Sequence, residues 1–270
     1  IHGIQRGETH DRDMRVSFGG TANVAIQLSA SGEEARFVGK VGNDGFGLQF
    51  KENLRRNKVK DLTSLDNDIP TGLCVSLVYE DGERSMVVSR GANDYLVRSD
   101  VESYLYEIKK SKAVYFSGYS LLNMRETTLY LMKKLYRDIE LWFNPGAPNI
   151  ITGSFREVIR DFIDVLILNL DEAKSITKVS DIEEILADLK EIVGLSVITL
   201  GEEGCIVTEG ENSIHVPVDT ILRGVDTTGA GDAFSAGFLM GRSTGVDAVA
   251  GARLGHEVAM DFLEGRASIL

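Results

Sequence analysis

The stretch that most constrains this chain lies near its C-terminal end, where small residues lead directly into an apolar helix. It runs from residue 224 to 234 with the sequence GVDTTGAGDAF, and the apolar segment SAGFLM follows it. The small residues at 229–231 let the backbone turn tightly and let a ligand approach it closely. The first backbone N–H groups of a helix have no intrahelical partner and lie at the positive end of the helix dipole. This position therefore predicts an anion site.

One acid, Asp232, falls in the first turn of that helix, beside the predicted anion site. One interpretation is that its carboxylate only complements the helix dipole. The other is phosphoryl transfer, in which backbone N–H groups hold the charge of the moving phosphoryl group and the carboxylate takes the proton of the attacking hydroxyl. From these residues alone, both interpretations stay open.

The length and charge of the chain limit its class. Its 270 residues suffice for one large α/β domain with a sizeable core. A net charge of −12, with no basic stripe to offset it, argues against a nucleic-acid partner. The sequence shows no apolar run of transmembrane length and no signal peptide, so no membrane partner is expected. Two distant cysteines, Cys74 and Cys205, predict neither a disulfide framework nor a zinc site and fit a reducing cytoplasm.

Helical and strand-like segments alternate from residue 99 onward. A capping box of Ser99 and Glu102 predicts a helix start. Apolar runs predict strands at residues 113–116, 140–143, 165–168 and 197–200. This order predicts an α/β fold with a mainly parallel sheet and helices on both of its faces. A last helix is predicted at 245–264, with His256 as a packing or surface residue.

Two segments together carry a resemblance to a known family. The segment DTTGAGDAF resembles the C-terminal signature of the ribokinase-like (PfkB) carbohydrate kinases. An N-terminal signature of that family resembles the segment from Gly19-Gly20 through Asn23 to the Gly-x-x-Gly-x-Asp-x-x-Gly run at 39–47, although one residue fewer than usual precedes the Asn. The resemblance covers nearly the whole chain. It implies a ribokinase-like fold with a small β-sheet lid, and a kinase that uses ATP and Mg²⁺.

The resemblance implies catalytic roles for the C-terminal signature. Asp232 would act as general base, and the backbone N–H groups of Gly229, Ala230 and Gly231 would form the anion hole for the transferred phosphoryl group. The intact Asp232 argues against the alternative of a non-catalytic sugar or nucleotide sensor on the same fold.

The resemblance also implies a nucleotide site at the ends of two predicted strands. Asn169 and Glu172 would act on the Mg²⁺-bound phosphates, with Glu172 placing the ion through water. Thr199, Gly201 and Gly204 would line the nucleotide. Taken alone, the first pair also fits a helix cap, and the second set also fits a β-turn.

The acceptor and a monovalent cation are assigned by the same resemblance. The acceptor would contact five residues, namely Gly19, Gly20, Asn23, Arg90 and Asn93. Some members bind a monovalent cation near this signature. By that resemblance, Asp226 and Thr228 would hold K⁺ in this chain. A hydroxyl of a sugar or sugar derivative is expected to be phosphorylated, and a nucleoside is the alternative. Members that phosphorylate ribose tend to carry a Glu after the strand that here ends at Phe116. This sequence has no acid there, so the resemblance disfavours ribose.

The hairpin predicted at residues 72–90 is assigned to the lid. Apolar residues alternate from Leu73 to Tyr79, and Asp81-Gly82 supplies the turn, although an edge hairpin of the main sheet is the alternative. The lid would comprise 1–18 and 72–90, and the core 19–71 and 91–270. Members open with a core strand that carries a Gly and an Asp, and no segment of this sequence matches it. We therefore expect this first core strand to be absent from the sequence. Related lids associate, which implies a homodimer through the hairpin.

Overall fold

A computed structural model describes residues 19–78, 84–222 and 227–265. Within these ranges the helices are α1 (Thr21–Ala30), α2 (Gly45–Arg56), α3 (Arg98–Ile108), α4 (Arg125–Leu135), α5 (Gly153–Phe162), α6 (Leu170–Thr177), α7 (Ile182–Lys190), α8 (Ala230–Ser243) and α9 (Ala248–Leu263). The strands are β1 (Arg36–Gly42), β2 (Lys60–Asp66), β3 (Leu73–Val78), β4 (Arg84–Ser89), β5 (Ala113–Ser117), β6 (Glu140–Asn144), β7 (Val165–Asn169), β8 (Leu195–Thr199), β9 (Cys205–Glu209) and β10 (Asn212–Val216).

The main sheet has six strands in the order β10-β9-β8-β7-β6-β5. Strands β5 to β8 run parallel, and β9 and β10 are antiparallel additions at one edge. This arrangement confirms the predicted mainly parallel sheet. Strand β8 begins at Leu195, two residues before the predicted start. The buried polar side chain of Ser196 had interrupted the apolar run.

Helices cover both faces of this sheet, as predicted. In β7, Leu166 packs in the buried cluster that contains Phe155 of α5, whereas Ile167 packs in the cluster that contains Phe238 of α8. The side chains on both faces of this strand are therefore buried. A parallel strand buried on both faces reads as one continuous apolar run, which is why the sequence revealed it.

The hairpin of β3 and β4 forms an antiparallel sheet of its own, in which Cys74 pairs with Val88 and Val75 with Val87. It is therefore not an edge hairpin of the six-stranded sheet. The predicted turn at 81–82 and residues 1–18, which were assigned to the lid, lie outside the described residues. Cys74 is exposed on β3, whereas Cys205 is buried in β9, and both are free thiols. Burial raises the pKa of the Cys205 thiol to about 12.

Asp44 ties the base of this hairpin to the core. As the N-cap of α2, it accepts a hydrogen bond from the Gly47 N–H (2.8 Å), and it also accepts from the N–H (2.7 Å) and the hydroxyl (2.8 Å) of Thr71. These bonds, chiefly the one from the Thr71 N–H, lower the pKa of Asp44. The acid of the N-terminal signature thus orders the segment that leads into β3.

Glycines keep the two ends of the hairpin in backbone contact. A Cβ on Gly72 would overlap the carbonyl oxygen of Arg90, and one on Gly91 would overlap the carbonyl oxygen of Pro70. Gly91 also has a φ of +50°, a conformation that other residues rarely adopt. At the point where the hairpin joins the core, the two backbone segments are therefore too close for a side chain to fit between them.

The capping box predicted at Ser99 and Glu102 is wrong. The N-cap is Val97, two residues before Ser99, so helix α3 begins at Arg98. The Asp100 carboxylate accepts from the Val97 N–H at 3.0 Å. Glu102 instead accepts hydrogen bonds from Arg98 and Tyr130. Several nearby polar residues could serve as caps, so the sequence alone did not distinguish among them.

Strands β1 and β2 form a parallel pair of their own within the described residues. Helix α2 connects them and packs against both. None of the helices in the described ranges is long and apolar enough to cross a bilayer.

Candidate active site

The N-terminus of α8 lies where the Gly-rich signature was expected to bind an anion. The helix starts directly after Gly229, whose φ of +88° is left-handed. A Cβ at this position would approach the Phe262 ring of α9 to 3.0 Å, so both conformation and space favour glycine. The Ala230 N–H donates to the Thr227 carbonyl at 3.1 Å. Of the three predicted anion-hole groups, this one is engaged in a turn.

Asp232 is partly buried in the first turn of α8 and contacts α1. The Asn23 side-chain N–H donates to Asp232 Oδ2 at 3.1 Å, which joins two residues 209 positions apart in sequence. Burial raises the pKa of Asp232 from its ordinary value of 3.8 to about 6, although the bond from Asn23 opposes the shift. The structure thus brings together Asn23, predicted to contact the acceptor, and the predicted base, even with the shortened spacing after Gly20.

Tyr115 of β5 lies behind these groups, and sequence reasoning missed it. Its hydroxyl is 3.5 Å from Ser235 Oγ in α8, and Ser235 itself donates to the Gly231 carbonyl at 2.8 Å. Burial raises the pKa of Tyr115, and the charges of Asp232 and Glu172 raise it further. The charges of both acids therefore act on one neutral phenol. The only sequence signal for a role of this residue was its hydroxyl group, in a predicted strand that is otherwise apolar.

Asn169 and Glu172 form a reciprocal capping box at the start of α6. Asn169 Oδ1 accepts from the Glu172 N–H at 2.9 Å, and Glu172 Oε2 accepts from the Asn169 N–H at 3.0 Å. Glu172 is only 3% exposed, and burial raises its pKa while the bonds from Asn169 oppose the shift. The helix-cap interpretation is therefore correct for this pair. One oxygen, Oε2, is used by the cap.

The residues predicted to line the nucleotide lie next to this cap, at the carboxyl end of β8. Thr199 pairs in register with Asn169 across β7 and β8, and its hydroxyl is 3.4 Å from the Leu168 carbonyl. Gly201 and Gly204 bracket the turn that leads into β9. Ligands of open α/β sheets bind at such strand ends.

Arg90, at the hairpin base, faces the ring of Tyr119 in the short turn that follows β5. Its guanidinium lies 5.3 Å from the centre of the Tyr119 ring and 3.6 Å from Asp94 Oδ1. Burial raises the pKa of Tyr119, Arg90 opposes the shift, and Glu172 and Cys74 add to it. Asn93 is exposed beside Arg90.

The remaining predicted residues are placed as follows. Gly19 and Gly20 are exposed just before α1. Thr228 is exposed immediately before Gly229, and Asp226 lies outside the described residues. The His256 ring packs 5.2 Å from that of Phe234, and burial lowers its pKa.

Glu172 is the acid that the sequence predicts to position Mg²⁺ at this site. In the described part of the chain, no three His, Cys, Asp or Glu side chains are grouped closely enough to hold one. Mg²⁺ commonly keeps several waters and binds one or two carboxylates together with substrate phosphates. A single buried carboxylate at Glu172, beside the end of β8, fits such an ion.

Comparisons with known proteins agree with this geometry. A model of the pfkB family carbohydrate kinases matches residues 3–266. A ribokinase of Mus musculus is 29% identical over 240 residues, which cover 84% of this chain and 72% of that protein. A probable fructokinase-3 of Arabidopsis thaliana is 32% identical over 245 residues, covering 84% and 69%.

Solved structures give the same result for the fold. An adenosine kinase from Sinorhizobium meliloti superposes with a TM-score of 0.85 at 29% identity, covering 91% of this chain and 77% of that chain. The family match, the relatives and the ribokinase-like sheet all point to ATP-dependent phosphoryl transfer to a sugar or nucleoside. The chain belongs to the pfkB family of carbohydrate kinases.

Proposed function

We propose that this kinase phosphorylates a hydroxyl of a sugar or sugar derivative, with Asp232 as the general base. The observation that carries the proposal is the partly buried carboxylate at the N-terminus of α8, in hydrogen-bond contact with Asn23. A pKa of about 6 leaves this carboxylate ionised at neutral pH yet more basic than an ordinary Asp.

In the proposed step, Asp232 takes the proton of the acceptor hydroxyl as its oxygen bonds to the γ-phosphorus of ATP. The bond from that phosphorus to the bridging oxygen breaks, and ADP leaves with the electron pair. The proton on Asp232 then passes to solvent. Backbone N–H groups of Gly229, Ala230 and Gly231 hold the phosphoryl charge. Ala230 must exchange its bond to Thr227 in order to take part.

The nucleotide is assigned to the ends of β7 and β8. Thr199, Gly201 and Gly204 would line it, and Asn169 with Glu172 would hold Mg²⁺ through water. When bound, the ion neutralises phosphate charge. Support comes from the register that puts Thr199 beside Asn169. A monovalent cation at Asp226 and Thr228 completes the assignment.

The acceptor is assigned to the space between the start of α1 and the hairpin. Gly19, Gly20, Asn23, Arg90 and Asn93 would contact it, and β3 with β4 would act as the lid over a core of residues 19–71 and 91–270. The charged, planar guanidinium of Arg90 near Tyr119 supports a polar acceptor. A nucleoside is the second candidate, favoured by the likeness to an adenosine kinase.

The hairpin surface supports a homodimer. Val75 is 55% exposed on one of its faces and Val88 is 59% exposed on the other, so the described part of the sheet is apolar on both sides. One face would cover the acceptor and the other would meet a second copy, since two-fold contacts are the commonest in oligomers. Two free thiols support a reducing, cytoplasmic location.

The proposed function is tested by ADP release from ATP with sugars, sugar acids and nucleosides as acceptors. An acceptor-dependent rate that disappears in Asp232→Asn is the expected result. Thermal unfolding with the same compounds is the companion measurement, because any ligand of the folded state raises the melting temperature. A compound that stabilises the protein together with ATP, yet is not phosphorylated, would make the chain a sensor instead.

A further inference from the structure

Ser235 is a polar residue on the buried side of α8. The other buried side chains of this helix are small or apolar, whereas Ser235 is 1% exposed and carries a hydroxyl. Its Oγ donates to the Gly231 carbonyl at 2.8 Å, one helical turn earlier. A buried serine often satisfies its hydroxyl in this way, so the bond alone implies no part in catalysis. What distinguishes this bond is its place, in the turn that starts α8.

The Gly231 carbonyl belongs to the same peptide unit as the Asp232 N–H. In a trans peptide these two groups point in opposite directions, so the N–H points towards the start of α8. The first bond along the helix is the one that the Ala233 N–H donates to the Gly229 carbonyl at 2.9 Å. The Asp232 N–H therefore lies at the predicted anion site, and a donor on the Gly231 carbonyl both holds this N–H in place and polarises it.

Tyr115 approaches the same hydroxyl from the main sheet. Its ring packs against the buried cluster that contains Phe238, and its hydroxyl is 3.5 Å from Ser235 Oγ. Since Ser235 gives its hydrogen to Gly231, its oxygen can accept the hydrogen of the phenol. Burial raises the pKa of Tyr115, so the phenol keeps the proton that it donates. This contact is long for a hydrogen bond between two hydroxyls, so it is the weaker of the two bonds.

We propose that Ser235 and Tyr115 are positioning residues for phosphoryl transfer, which act through the Gly231 carbonyl. Ser235 fixes the peptide unit between Gly231 and Asp232, and Tyr115 holds Ser235 from β5. The base and the backbone N–H groups that face the phosphoryl group therefore keep one relative orientation while charge develops. Neither residue is assigned a contact with ATP or with the acceptor. This inference rests on the proposed role of Asp232 and of the start of α8.

Removal of the Ser235 hydroxyl should slow the chemical step and leave substrate binding nearly unchanged. In single turnovers with the acceptor found by the screen, Ser235→Ala should lower the transfer rate about 3- to 10-fold, as expected for one lost hydrogen bond. KM for ATP and KM for the acceptor should each change less than about twofold. Tyr115→Phe should have a smaller effect. The double variant should transfer no more slowly than Ser235→Ala, because Tyr115 acts through Ser235.

Ser243 offers a matched control at the other end of α8. Its Oγ also donates to a carbonyl of this helix, that of Met240, at 2.8 Å, and it contacts Glu33 as well. Ser243→Ala therefore makes the same chemical change in the same helix, far from Asp232. A general weakening of α8 would lower the melting temperature of both serine variants, whereas slower transfer should appear only in Ser235→Ala.

Tyr104 is the corresponding control for Tyr115. It is a partly buried tyrosine of α3, and its hydroxyl is 3.4 Å from the Thr63 carbonyl. Tyr104→Phe removes one phenol oxygen at a similarly long contact, away from α8. It should leave the transfer rate unchanged, and a decrease as large as that in Tyr115→Phe overturns the role of Tyr115.

The hydrogen bond itself is tested without turnover, by NMR of the ligand-free protein. The ¹³C shift of the Gly231 carbonyl reports donors to its oxygen, and the amide proton shift of Asp232 reports the polarisation of the same peptide unit. Both signals should move upfield in Ser235→Ala and should stay in place in Ser243→Ala. Unchanged signals in Ser235→Ala overturn the inference.

The kinetic and NMR measurements separate this inference from the proposed function. A wild-type protein that phosphorylates no acceptor overturns the proposed function, and the positioning role with it, whatever the NMR signals show. In an active protein, a Ser235→Ala transfer rate no lower than that of Ser243→Ala overturns the inference alone. A loss that appears in KM instead of the transfer rate does the same, and additive losses in the double variant overturn the link through Ser235.

Discussion

Replacing Asp232 by Asn should abolish turnover and stabilise the folded protein at neutral pH. Asn has nearly the same shape, and its side-chain oxygen can still accept from Asn23. The pKa of Asp232 is raised from 3.8 to about 6, and each unit corresponds to about 1.4 kcal/mol. Keeping this carboxylate charged thus costs about 3 kcal/mol, reduced to about 2 kcal/mol because the group is only partly buried. Loss of a general base lowers kcat by about 10²- to 10⁴-fold.

The sign of the pH dependence follows from proton linkage. Between about pH 3.8 and 6 the folded state binds the Asp232 proton and the unfolded state has released it. The contribution of this group to stability therefore falls as the pH rises through that window, and the penalty is complete above pH 6. The gain from Asp232→Asn should be largest above the window and should shrink as the pH falls towards its lower end.

Thermal unfolding of the ligand-free protein checks this expectation. For a chain of this size, each kcal/mol of stability changes the melting temperature by about 2–4 °C. At pH values above 7, a gain of about 2 kcal/mol should therefore raise the melting temperature by about 4–8 °C. Glu183→Gln is the matched control, because Glu183 is a first-turn acid of α7 that is exposed. It should change stability little or lower it slightly. A destabilised Asp232→Asn, a gain that is the same at low pH, or a variant keeping more than about a tenth of wild-type kcat would refute the reasoning.

The metal site, the hairpin base and the hairpin surface each give a further prediction. Glu172→Gln keeps a cap acceptor but loses the charge, so the Mg²⁺ concentration for half-maximal rate should rise; an unchanged requirement leaves Glu172 as a cap only. Gly72→Ala forces a Cβ against the Arg90 carbonyl, so in initial-rate assays KM for the acceptor should rise more than KM for ATP; equal increases would contradict a lid role. Lysine at both Val75 and Val87 should dissociate a hairpin dimer in light scattering, whereas a wild-type mass of one chain well above micromolar concentration rules the dimer out.

The parts of the fold that could be predicted are those where burial leaves a continuous pattern. Strands β5 to β8 are covered on both faces, so their apolar runs stand out against the helices between them. The start of α8 was also predictable, because a left-handed position such as Gly229 needs a glycine. Where one polar residue enters a buried strand, as Ser196 does in β8, the predicted boundary moved by two residues.

The contacts within the site could not be predicted, because they join distant segments. Nothing in the periodicity of α1 or α8 indicates that Asn23 reaches Asp232, 209 positions away. The hydroxyl of Tyr115 was hidden for the same reason, since its ring fits an apolar strand and its polar tip has meaning only beside α8. A sequence signature identifies the residues of the site, but which of them are in contact depends on how the helices pack on the sheet.

The two cysteines give this protein a selective point of chemical attachment. Cys205 is enclosed in β9, and its raised pKa keeps it in the unreactive thiol form, whereas Cys74 is exposed on the hairpin. A maleimide dye should therefore label the hairpin alone, at Cys74. Fluorescence from that position would report whether the hairpin changes its surroundings when ATP or an acceptor is added, without any engineered residue.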